Sequence, residues 1–162
     1  MNHSYSPYRA SAKSSWHERQ FGDFTCLYCH NYVSVQSILS GVHNRDHCPY
    51  CLWSKHVDLH QAGDRLAACK AGMQPIGLTV KKTHKKYGAG QGELMLIHQC
   101  TECGKLSLNR IAADDDAGLV FEAFERSTRL DTETHDQLAS RGITALKAGD
   151  ACLVRTRLFG MN

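Results

Sequence analysis

Apolar positions recur at two different periods along this chain. Ile76, Leu78 and Val80 alternate with Gly77, Thr79 and Lys81, while Leu94, Leu96 and His98 alternate with Met95 and Ile97. A period of two predicts half-buried strands in both places. Leu52 to Val57 reads as a shorter strand, and Lys105 to Ala112 as another. The glycines of residues 81–92 make that stretch a loop between strands. After Asp114 the spacing changes: Leu119, Val120, Phe121 and Phe124 supply the apolar side of a helix over 117–127, and Asp114, Asp115 and Asp116 supply its N-cap and first-turn charge. A second helix is predicted over 134–141, with Thr134 and Gln137 spaced as a capping box and Gly142 as its stop. Residues 151–159 read as a final strand after the Ala148-Gly149-Asp150 turn. Residues 1–20 have no apolar period and are rich in Ser, Tyr and charge, so they read as a flexible basic arm. The expected organisation is an arm over 1–20, a strand-rich domain over 21–116 and a mixed helical and strand extension over 117–162.

With 162 residues the chain can bury one modest core or two small ones, and its mean hydropathy of −0.40 fits a soluble protein. The longest run of large apolar side chains, Leu94 to Ile97, is far short of the roughly 20 residues that span a bilayer. No apolar segment follows the basic residues of the N-terminus, so no secretory leader is expected and the cytoplasm is the expected compartment. Thiols stay reduced there, which disfavours pairing the eight cysteines as disulfides.

The cysteine spacing points to metal. Cys26-Leu-Tyr-Cys29 and Cys48-Pro-Tyr-Cys51 are two knuckles separated by eighteen residues, and zinc takes four such thiolates at tetrahedral directions. Four sulfurs leave no open position, so this first site should hold the fold rather than perform chemistry. Cys100-Thr-Glu-Cys103 is a third knuckle, with Cys69 as the expected third ligand of a second zinc site. For the fourth, His98 is favoured because residues 98 and 100 project from one face of a strand. His84 and Cys152 are the competitors, although Cys152 shares a strand face with Val154 and Leu158 and reads as a buried free thiol. Water in place of His98 would give this second site a catalytic form. His47, His56 and His60 crowd the second knuckle, where packing and hydrogen bonding to ligands is the plainer role and a cluster with Asp58 the alternative.

The resulting fold class is small α+β: zinc-ribbon-like β-hairpins with two Cys-rich sites, then a C-terminal extension. The string Asn44-Arg45-Asp46-His47-Cys48-Pro49-Tyr50-Cys51-Leu52-Trp53-Ser54-Lys55-His56-Val57-Asp58 resembles the signature of the RNHCP domain family of bacterial zinc-ribbon-like proteins. The resemblance extends through Asp23 to Cys26, Gly63 to Arg65, Cys69, Gly72, Met73, Pro75, Ile76, Ile97, His98, Cys100, Cys103, Gly104, Asn109 and Arg110. It covers roughly residues 16–116. Asp46 departs from it, since the family name carries Asn before the histidine. The resemblance implies zinc and this fold, and no activity.

Charge suggests a partner. Residues 1–113 carry 13 Lys and Arg against 7 Asp and Glu, whereas residues 114–162 carry 6 against 9. Lys81, Lys82, Lys85 and Lys86, with His84 and Tyr87 among them, repel one another unless an anion gathers them, and phosphate is the commonest such anion. Arg110, and Arg9, Lys13 and Arg19 of the arm, could add to such a surface. No recognition helix and no run of exposed stacking aromatics is evident, so backbone or shape recognition of RNA, as on a ribosome, is the expected form. The function expected is therefore a non-enzymatic structural-zinc protein that binds RNA or the ribosome. A protein–protein adapter docking through 117–162 is the alternative, and a zinc-dependent enzyme a third. No nucleophile–base–orienter spacing is present, and Gly88-Ala-Gly90-Gln-Gly92 follows a lysine run rather than a buried strand, which is not the setting of a dinucleotide loop.

Overall fold

The computed structural model describes residues 22–82 and 92–160. The arm over 1–20, with Arg9, Lys13 and Arg19, lies outside them, as do His84, Lys85, Lys86, Tyr87, Gly88 and Gly90 of the basic loop. A two-stranded ribbon of β1 (Phe24–Thr25) and β2 (Tyr32–Val33) leads into a single helical turn, α1 (Ser37–Ser40). An antiparallel sheet follows in the order β3 (Ser54–Lys55), β4 (Gly72–Lys81), β5 (Glu93–Cys100) and β6 (Leu106–Arg110). The chain then forms α2 (Ala117–Ser127), α3 (Thr132–Ala139) and α4 (Ala151–Phe159).

The two long strands are covered on both sides rather than half-buried. Leu78, Leu94 and Leu96 enter one cluster with Val120, Ala123 and Phe124 of α2, Val154 of α4 and Leu52. Ile76, Ile97 and Leu106 enter another with Leu138 of α3 and Ala145. Successive side chains of β5 point to opposite faces, so cover on both faces buries nearly every residue along it. Burying one such aliphatic side chain contributes about 1.5–3 kcal/mol. The segment after α3 continues the sheet beside β4: Thr79 Oγ1 donates to the carbonyl of Thr144 at 2.7 Å, and the Leu146 amide donates to the carbonyl of Leu78 at 2.9 Å. Residues 117–160 thus share a core with the strands.

One contact sets the distance between α2 and the sheet. The register shifts between Pro75 and Gly77, and a Cβ at Gly77 would lie 2.7 Å from Ser127 Oγ and 3.3 Å from Ser127 Cα. With only hydrogen there, the helix approaches closely enough for the Leu78 amide to donate to Ser127 Oγ at 2.6 Å.

The C-terminal elements correct two expectations. Residues 151–159 form a helix, not a strand. Ala151, Val154 and Leu158 follow a three-then-four spacing and pack on the first cluster, and Gly160 at φ 66° ends the helix. Cys152 is consequently exposed rather than buried. The preceding helix starts at Thr132, because Asp131 and not Thr134 is its cap: the Thr134 amide donates to Asp131 Oδ1 at 2.7 Å.

Candidate metal centres

All three Cys-x-x-Cys segments fold into the same turn. In each, the amide of the first cysteine donates to the carbonyl five residues on: Cys26 to Asn31, Cys48 to Trp53 and Cys100 to Lys105, all at 2.9 Å. The residue after the second cysteine donates back to the first cysteine's carbonyl, His30 at 3.1 Å, Leu52 at 2.8 Å and Gly104 at 3.1 Å. That residue is left-handed every time, with φ of 61°, 61° and 68°. Glycine takes this conformation freely, whereas the Cβ of His30 and Leu52 makes it cost about 1–2 kcal/mol. For Leu52 the complete burial of its side chain offsets that cost.

The turns bring the first four cysteines together. Cys26 and Cys51 sulfurs lie 3.6 Å apart and Cys29 and Cys48 sulfurs 3.5 Å apart, and all four Sγ atoms fall within 4.8 Å of one another. Sulfurs bonded to each other would be about 2.05 Å apart, so these are not disulfides. A tetrahedron with bonds of about 2.3 Å, the zinc–thiolate length, has edges of about 3.8 Å, which the observed separations nearly match. Electrostatics point the same way. Burial pushes the Cys48 thiol up to about 12 and raises Cys51 further. Burial also opposes ionisation of Cys29, yet the Asn31 amide groups together with the Cys51 and Cys48 thiols outweigh it and bring that thiol down to about 6. A set of thiols so crowded ionises together only when a cation shares the charge.

The second cluster consists of His56, Cys69, Cys100 and Cys103, again with one donor atom each within 4.8 Å. Cys69 and Cys100 sulfurs are 3.6 Å apart, and His56 Nδ1 lies 3.4 Å from Cys103 Sγ. Mixed N and S donors at about 2.05 and 2.3 Å from one ion would be separated by about 3.6 Å. Burial, then the nearby Lys105 ammonium, lowers the pKa of His56 and favours the neutral imidazole that ligates metal.

His56 therefore stands where the sequence pointed to His98. His98 is wholly buried, and its Nε2 shares a 2.6 Å hydrogen bond with the carbonyl of Leu52. It braces the second knuckle of the first cluster instead of joining the second cluster. Sharing a strand face with Cys100 therefore does not bring His98 to that cluster, because its ring is held by the Leu52 carbonyl. The one sequence signal for His56 is its place among the histidines that follow the second knuckle; the pairing of β3 with β4, which starts just after Cys69, brings it to the cluster.

The Asp run also divides differently from its reading as a cap. Only Asp116 caps α2, accepting from the Leu119 amide at 3.0 Å. Asp114 accepts from Arg45 Nη1 at 2.7 Å. The fully buried Asp115 carboxylate faces Arg45 Nη2 at 3.2 Å and His47 Nε2 at 2.8 Å, and accepts from the Ala112 amide at 2.7 Å. Arg45 and His47 thereby bind the knuckle to the start of α2, roles that their sequence positions alone did not assign. His60 is exposed, its amide donating to Asp64. Asp58 holds the amides of Gly63 and Arg65 at 2.6 and 3.0 Å. Lys81 and Lys82 are exposed at the far end of β4, and Arg110 lies 3.5 Å from Glu93.

Residues 21–121 match the family model described as the RNHCP domain. No curated protein and no solved structure matches the chain. Among the described residues, no helix is long and apolar enough to cross a membrane.

Proposed function

The chain belongs to the RNHCP domain family, a metal-binding structural domain, and on that premise we propose that it is a non-enzymatic scaffold, set by two zinc ions, that binds RNA phosphates through its basic β4–β5 hairpin. The observation that carries the zinc assignment is the pair of four-donor clusters, one of four thiols and one of three thiols and an imidazole, each with tetrahedral edge lengths. Soft thiolates in a tetrahedral set favour zinc over hard divalent ions. Cys26, Cys29, Cys48 and Cys51 would hold one ion, and His56, Cys69, Cys100 and Cys103 the other. With four protein donors each, neither shell has room for water or substrate, so both ions act by joining distant segments.

The RNA reading rests on Lys81, Lys82, Lys85 and Lys86, which fall within six residues of the sequence between β4 and β5. Arg110 contributes less, because Glu93 sits beside it. Of the residues an enzyme reading would draw on, His98 is engaged with Leu52, Asp114 and Asp115 with Arg45 and His47, and Asp116 with the start of α2, while His84 lies outside the described residues.

Titration of a labelled RNA against salt tests the proposal. Four phosphate contacts on a single strand give a log–log slope near −3, and replacing two of the four lysines by Gln should halve it. A zinc-replete protein with no salt-dependent RNA affinity, and absent from ribosomal fractions at low salt, would refute the RNA half. Metal analysis finding no tightly held zinc would refute the other.

A further inference from the structure

The hairpin lysines account for phosphates alone, yet a second feature has the form of a base-binding site. Trp53 lies against the backbone of β4, where a Cβ on Gly72 would sit 3.3 Å from its ring. Tyr28 stacks on Trp53 with centroids 4.3 Å apart and planes within 4°. Tyr28 is 58% exposed, so with one face on Trp53 its other face is open. The two rings come from different knuckles: Tyr28 lies between Cys26 and Cys29, and the Trp53 carbonyl accepts from Cys48. The first cluster therefore fixes the stack. Beside it runs a groove of about 500 Å³ lined by Tyr28, Trp53, Asp46, Lys55 and Arg65, within the size range of small-ligand sites.

We propose that this groove seats an unpaired base of single-stranded RNA, with Tyr28 as its stacking face, Asp46 as acceptor for a base N–H, and Lys55 as the contact to the adjoining phosphate. The assignment rests on the RNA reading above and adds where bases, as distinct from phosphates, are met. Chemistry favours this occupant. An aromatic face takes any base but only once it is unpaired, since bases within a duplex cover one another's faces. Asp46 Oδ1 accepts from Asn109 at 3.0 Å, whereas Oδ2 lies 3.8 Å from Arg65, too far for a hydrogen bond, and so retains accepting capacity. Lys55 is exposed at the groove, and the cations lining it suit a polyanion better than an apolar helix. The sequence hid this arrangement because its aromatics are scattered along the chain, and the knuckles gather them.

The test is fluorescence anisotropy on the full zinc-loaded chain with three labelled probes of equal length: a mixed-sequence single-stranded RNA, an abasic ribose-phosphate strand and a duplex RNA. The single strand should bind roughly five- to a hundredfold more tightly than the abasic strand. Tyr28→Ala should erase that difference without changing zinc content or abasic affinity, and Tyr28→Phe should preserve it. Equal affinity for all three probes, or a Tyr28→Ala protein indistinguishable from the parent, overturns the base site while leaving the phosphate reading intact. Absence of binding to every probe overturns both. Displacement of bound RNA by deleting Lys55's charge alone, with no dependence on bases, also counts against the stack.

Discussion

The exchange of His98 for His56 makes the sharpest prediction. His56→Ala removes one of four donors from the second cluster. A structural zinc site contributes about 10–16 kcal/mol, so one ligand in four is worth about 2.5–4 kcal/mol, or roughly a hundred- to a thousandfold in zinc affinity. His98→Ala removes a wholly buried ring and its hydrogen bond to Leu52. This costs about 2–4 kcal/mol of fold stability but leaves all eight donors in place. Competition with a chromophoric chelator, read beside metal analysis and circular dichroism, separates the outcomes. His56→Ala should surrender one zinc early and keep the other, whereas His98→Ala should retain both and melt lower. His56→Cys should restore the second ion as a fourth thiolate. A folded His98→Ala protein that loses one zinc, alongside a His56→Ala protein that holds two tightly, would refute the assignment.

Three further outcomes follow from the packing. Gly77→Ala places a methyl group against Ser127, so overpacking and the disturbed Leu78 hydrogen bond should cost about 2–5 kcal/mol in urea unfolding, and Ser127→Gly on that background should recover part of it. Asp115→Ala strips the buried Arg45 and His47 of their shared carboxylate and should cost about 3–5 kcal/mol; a loss below about 1 kcal/mol would contradict the geometry. Asp64 receives backbone N–H groups from Gln61, Leu59, His60 and Leu66, which hold its pKa below the ordinary 3.8. Its contribution is therefore whole above that value and fades as pH falls through the depressed one. The melting-point advantage of the parent over Asp64→Asn should accordingly be largest near neutral pH and shrink in acid.

How much of this was legible depended on whether a residue's partner lay near it in sequence. The first cluster could be read because each knuckle is local and two closely spaced pairs make a complete shell. β4, β5 and α2 could be read from periodicity, although α2 and α3 turn the expected half-buried strands into strands covered on both faces. The second cluster could be read only for its cysteines, since its last donor depends on β3 lying beside β4, a pairing that no local pattern announces. α4 resembles a strand in sequence because Val154 and Leu158 fit a period of two as well as a helical one, and only Ala151 distinguishes them. Arg45 and His47 gained a role once Asp114 and Asp115, some seventy residues on, came to meet them. Leu52 gave no sign of left-handed geometry, because the knuckle imposes that conformation on whichever residue follows its second cysteine.

The β4–β5 hairpin has the cluster of His56 and three cysteines at one end, and Lys81 and Lys82 at the other. Cys69 precedes β4 and Cys100 ends β5, while Lys81 closes β4 nine residues after Gly72, about 30 Å away. A load applied at the lysines thus acts on a lever whose fulcrum is the second cluster. Cys69 and Cys103 stand at the surface of that fulcrum, within reach of oxidants. Releasing the latch there would leave the charges of Lys81 and Lys82 in place while loosening the hairpin that carries them.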